Sequence, residues 1–145
     1  GQPDINMGVK VIPTADGFIR AVRFFRDCGA STDYTASLWT ATGTLLAEAT
    51  VPAYEPVNGW QTATFAEPVA VNAQITYIAA YHAPGGCFPS SLGSFQQDLV
   101  VPGLTIPSSS SAGGNGVFTY SAIPVFPSNA APNTNYWIDV ELELE

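Results

Sequence analysis

The chain has 145 residues, 46% hydrophobic and only 11% charged, which is the length of one domain and enough to bury a core without staples. Twelve acids against four bases give a formal charge of -8, which argues against a nucleic-acid backbone or an anionic membrane surface as partner; the four cations are Lys10, Arg20, Arg23 and Arg26. No apolar run approaches the ~20 residues of a membrane helix, so membrane insertion is not expected.

The hydrophobic pattern repeats every second residue, and helical spacing is absent. Val9 to Ile12 is the first predicted strand, turned by Asp16-Gly17 into Phe18 to Arg26, since glycine takes the positive φ of tight hairpin turns. Ala36 to Ala41 follows, then the Thr42-Gly43 turn and Leu45 to Val51. Gly59 opens Trp60 to Phe65, Pro68 precedes a short edge segment from Val69 to Val71, and Ile75 to His82 has the composition of a central strand. Residues 83–116 differ, with Pro84-Gly85-Gly86, four serines from Ser108 to Ser111, and Gly113-Gly114. One short strand near Leu99 to Val101 is expected there, the rest lying across one face. Val117 to Tyr120 and Tyr136 to Leu142 close the set. About nine strands at this spacing predict an all-β fold, an antiparallel β-sandwich of jelly-roll or immunoglobulin-like type, as one domain over 1–145 with one long loop segment. No signal peptide is read at the start, so a mature fragment or an excised domain of a larger secreted protein is expected.

Cys28 and Cys87 are the two cysteines. With few lysines and many small polar residues, they suggest an extracytoplasmic protein with one disulfide, worth about 4 kcal/mol in the chain-entropy model; two separate buried thiols are the alternative. Strand parity sorts the aromatic side chains. Trp39 falls opposite Ala36 and Leu38, Trp60 opposite Ala63 and Phe65, and Trp137 opposite Ile138 and Val140, while Arg23 and Phe25 oppose Val22 and Phe24. All three indoles thus take the more polar parity. Either the 83–116 segment covers them in a second small core, with Arg23 stacked on a ring, or they line a groove for a sugar chain.

Catalytic signals are thin. His82 is the single histidine, at a strand end, and no nucleophile elbow or phosphate-cradling loop accompanies it. Paired carboxylates for glycoside hydrolysis depend on a separation that sequence does not give. Calcium is the one ion with ligands of suitable chemistry. Asp139, mid-strand beside Trp137, and Asp16 are the residues favoured for it; otherwise no cofactor is expected.

Several ordered segments carry a family resemblance. They are Asp16-Gly17 with Ala21-Val22-Arg23-Phe24-Phe25, then Ser37-Leu38-Trp39-Thr40-Ala41-Thr42-Gly43-Thr44-Leu45-Leu46-Ala47, Gly59-Trp60-Gln61 and Thr76-Tyr77. Tyr81-His82-Ala83-Pro84, Gly114-Asn115-Gly116-Val117-Phe118-Thr119-Tyr120, Phe126-Pro127 and Asn135-Tyr136-Trp137-Ile138-Asp139-Val140 complete them. Over almost its whole length the chain resembles a bacterial domain family of unknown function, whose members recur in large secreted proteins beside immunoglobulin-like, fibronectin-like or carbohydrate-active domains. The resemblance implies an extracellular all-β module attached to something larger, and no catalytic residues.

The expected function is a secreted, non-catalytic accessory module, monomeric, that holds a partner enzyme near a polysaccharide or cell-surface glycan. Ring stacking is assigned to Trp39, Trp60 and Trp137 or to Tyr81, Phe88, Phe95 and Phe118, with polar contacts from His82 and Asn115. The alternatives are a structural spacer or adhesion domain with no ligand of its own and, third, a polysaccharide-active enzyme.

Overall fold

Strands of alternating apolar and polar residues need two layers to bury one face each, and the chain supplies them. The structure, a computed structural model, describes residues 4–26, 33–51, 59–84, 91–92, 99–101, 103–106, 116–131, 134–135 and 138–144. In chain order the strands are β1 (Ile5–Pro13), β2 (Gly17–Arg26), β3 (Tyr34–Thr40), β4 (Leu45–Val51), β5 (Gly59–Val71), β6 (Tyr77–Ala83) and β7 (Ser91–Leu92). There follow β8 (Leu99–Val101), β9 (Leu104–Ile106), β10 (Gly116–Tyr120), β11 (Asn129–Ala131), β12 (Thr134–Asn135) and β13 (Ile138–Leu144).

The larger sheet has the order β11-β10-β1-β6-β3-β4, and the smaller is β13-β2-β5, with β12 and β7 forming a separate pair. Every pairing is antiparallel. The fold is an antiparallel, all-β sandwich. Its core lies between the two sheets. Ile5, Met7, Val9 and Val11 of β1, Tyr34, Ala36 and Leu38 of β3, and Tyr77, Ala79 and Tyr81 of β6 meet Val22 and Phe24 of β2, Ala63 and Phe65 of β5, and Ile138 and Val140 of β13. Near the middle, Phe24 stacks on Tyr81 with centroids 4.6 Å apart and on Tyr34 at 5.7 Å.

Several predicted boundaries change for physical reasons. The predicted strands Trp60 to Phe65 and Val69 to Val71 are one strand, β5, whose ladder with β2 shifts register: Ala21 pairs Thr64, but Ile19 pairs Val69. Pro68 sits in the looped-out part, where its missing N–H costs no ladder bond. The same irregularity lets both Ile19 and Val22 reach the core although they are three apart. Leu99–Val101 forms the strand expected inside 83–116, but it pairs with the unpredicted β9, and Thr105 and Leu104 of β9 extend the ladder of β1 at Ile12 and Pro13. The tight β8–β9 turn uses Gly103 at φ 82°. This hairpin lengthens a sheet edge; the sequence had placed the segment across a face.

Strand direction also fixes the poles. Ile5 starts β1 opposite Ala83 and Tyr120, and β1 runs from there toward the β1–β2 turn. Leu144 ends β13 opposite Gly17, beside that turn. The first and last described strands therefore open and close at opposite ends of the sandwich.

Candidate functional site

A two-layer sandwich offers two outer faces, and the candidate residues divide between them. On the outer face of the larger sheet, register builds three rows. Thr35, His82, Asn6 and Thr119 form a polar row; Ser37, Ala80, Gly8 and Val117 a small one; Trp39, Ile78 and Lys10 a large one. Burial lowers the pKa of the Lys10 ammonium from its ordinary 10.5. Gly8 leaves the second row shallow, because a Cβ there would stand 2.9 Å from Ile78 Cγ2 and 3.1 Å from Val117 Cγ2.

Residues 121–127 lie over these rows as a strap. His82 Nε2 donates to the Ser121 carbonyl at 2.9 Å, since a carbonyl only accepts. Asn6 donates through Nδ2 to the carbonyls of Thr119 and Ile123, both at 3.3 Å, and its Oδ1 accepts from the Val125 N–H at 3.2 Å. Phe126 meets the Trp39 indole edge-on at 5.6 Å, and Trp39 Nε1 donates to Ser37 Oγ at 2.8 Å. Trp39, Ile78, Ala80 and Val117 form a second small core with Phe126 packed on it.

Three sequence-based assignments are corrected here. Trp39 does point away from the main core, yet it is only 8% exposed, because the strap seals it. The cover comes from 121–127; the sequence had assigned that part to 83–116. His82 is 6% exposed and spends its ring N–H on the strap, so it is not on a ligand-facing surface. Tyr81 is 1% exposed within the aromatic stack, because its parity places it in the main core. Sequence reasoning passed over Asn6, although an amide inside the apolar run from Ile5 to Pro13 is a signal that something polar must meet it.

The outer face of the smaller sheet differs. Trp60 of β5 is 43% exposed. Phe25, its cross-strand partner on β2, meets it edge-on at 5.8 Å, and the Arg23 guanidinium carbon lies 5.2 Å from the indole centroid. Thr62 and Thr64 of β5 are exposed on the same parity. Asp139 and Glu141 of β13 face Arg23 and Ala21 in register. Arg23 does lie over an indole, that of Trp60, but this ring is exposed and lies outside the covered second core in which the stacking was expected. Phe25 was read only as opposing the core, and its direct pairing with Trp60 follows from the β2–β5 register.

The two calcium candidates are not brought together. Asp139 pairs with Arg23 near one end of β2, whereas Asp16 precedes Gly17 at the other. Asp139 Oδ1 accepts from the Val140 N–H at 2.8 Å, and Asp16 Oδ1 from the Ala73 N–H at 2.8 Å. Among the described residues no group of three or more His, Cys, Asp or Glu is placed to hold a metal. Phe118 is half-buried against the main core and touches Tyr120 edge-on at 5.9 Å. Trp137, Phe88, Phe95, Asn115, Cys28 and Cys87 lie outside the described residues.

Fold and surface together define an antiparallel β-sandwich with the middle of one outer face covered by a strap and the other face carrying an exposed tryptophan. The chain belongs to the family described as Domain of unknown function (DUF4082), which matches residues 2–138. Neither the curated proteins nor the solved structures include a significant match.

Proposed function

We propose that the protein is a non-catalytic binding module of a secreted bacterial protein, and that it holds a glycan against the outer face of β13-β2-β5. The observation that carries this reading is the exposed Trp60 indole, braced by Phe25 and Arg23 on a sheet face that also presents the hydroxyls of Thr62 and Thr64. A flat ring offers a pyranose face an apolar platform, and hydroxyls alongside give it hydrogen-bond partners. The reading moves the platform from three indoles to Trp60, with Trp137 as a further candidate, and it releases Trp39, Tyr81 and His82 to structural work. It invokes no cofactor and no catalytic group, and His82 is already committed to the strap. Oxidation of Cys28 and Cys87 to one disulfide belongs to the same extracellular setting. Binding to a glycan array tests the proposal: wild type retains specific glycans, and Trp60→Ala loses them while remaining folded at the assay temperature. Retention by Trp60→Ala equal to wild type refutes it.

A second reading, an in-line spacer between neighbouring domains, is favoured by the opposite poles at which β1 starts and β13 ends. That placement leaves the Trp60 face open sideways, and glycan retention decides between a spacer with no ligand of its own and the binding module.

A further inference from the structure

We infer that Arg23 is the positioning residue of the Trp60 platform, and that the platform takes an uncharged glycan face; this rests on the binding reading above. Arg23 stands directly across from Asp139 in the β2–β13 register, the ordinary place for a cross-strand ion pair. The ion pair in the described part of this sheet is Arg20 with Glu143, and the Arg23 guanidinium instead lies against the Trp60 ring. Arg23 is half-buried, whereas Trp60 is exposed. The guanidinium carbon lies over one face of the indole, and that contact holds the ring. Phe25 closes the ring's flank at an interplanar angle of 86°. A ring held at one face and one edge keeps its other face ready for a ligand and loses little rotamer freedom on binding.

Charge selects the ligand. Arg23 keeps its positive charge against the ring and Arg20 is paired with Glu143, while Asp139 and Glu141 add two carboxylates, so among the described side chains of this face two acids stand against the one cation of Arg23. With a chain charge of -8, a polyuronate meets repulsion here, whereas a hydroxyl-only sugar face does not.

The test uses the intact protein, with cellohexaose, mannohexaose and polygalacturonate as probes, and the variants Arg23→Met, Arg23→Lys and Trp60→Ala. Losing an exposed cation–π contact corresponds to weakening by about two- to fivefold. Arg23→Met is expected to bind the neutral oligosaccharides that much more weakly, with a melting temperature lowered by no more than a few degrees. Arg23→Lys recovers part of the loss. Acrylamide quenching of Trp60, read as the difference from Trp60→Phe, rises in Arg23→Met without any ligand. Arg23→Met with wild-type affinity and wild-type quenching overturns the positioning role even if Trp60→Ala abolishes binding. Tighter binding of polygalacturonate than of the neutral hexamers overturns the charge selection. A wild type that binds none of the probes refutes the neutral-glycan assignment, and the quenching arm still decides whether Arg23 holds the ring.

Discussion

Asn6, His82 and Trp39 form one unit with the strap, and each contributes differently. The Asn6 amide meets the carbonyls of Thr119 in β10 and Ile123 in the strap and the N–H of Val125, and without it those groups lose a partner in a part-buried setting. Asn6→Ala is expected to cost about 1–3 kcal/mol, and Trp39→Ala about 3 kcal/mol or more, because it leaves a cavity under Phe126. Urea titration of each variant measures both, and a Trp39→Ala protein as stable as wild type contradicts the sealed second core. Lys10 gives a pH dependence. Its folded-state pKa lies below the unfolded value, so in the alkaline window between the two the unfolded chain binds more protons and stability rises with pH. At neutral pH both states are protonated, and the burial penalty is fully present. Wild type should therefore gain stability relative to Lys10→Met as pH is raised toward 10.5, by urea titration at each pH; a gap independent of pH speaks against it.

At the scale of elements, the fully buried pattern of β6 reflects cover on both sides: Tyr77, Ala79 and Tyr81 face the core, and Ile78, Ala80 and His82 face the second small core and the strap. Gly8 on the neighbouring strand has a steric reason to be glycine. Gly8→Ala would press a methyl against Ile78 and Val117 and should destabilise by about 1–3 kcal/mol, with amide exchange quickening first in β10 and 121–127. Uniform quickening across both sheets would count against a locally anchored strap. These elements show what the sequence could and could not reveal. Alternation correctly set Trp39 and Trp60 on outer faces, because side-chain direction follows from strand geometry alone. It could not distinguish them, since whether an outer face is covered depends on a segment more than 80 residues away from Trp39. Tyr81 is legible as core from its own strand, because it shares parity with Tyr77 and Ala79, so its assignment to ring stacking runs against the alternation. The β8–β9 hairpin was half legible. Leu99 to Val101 reads as a strand, but the pairing of its partner β9 to the end of β1 is a long-range contact with no local signature.

For the whole molecule, the decisive features are the opposite poles and the difference between the two outer faces. β1 spans eight residue steps, so labels at positions 4 and 143 should lie about 25–30 Å apart. Pulsed dipolar spectroscopy on paramagnetic labels at those two sites measures this, and a distance under about 15 Å would rule out the in-line arrangement. The central claim is that one outer face binds and the other only holds the fold together. The most direct measurement is a paired titration of Trp60→Ala and Trp39→Ala against the best-retained array glycan, at a temperature where both variants remain folded. Trp60→Ala is expected to lose affinity at least about tenfold with its unfolding free energy within about 1 kcal/mol of wild type, while Trp39→Ala keeps its affinity and loses stability. The reverse pattern, with affinity lost at Trp39 and kept at Trp60, would contradict the account.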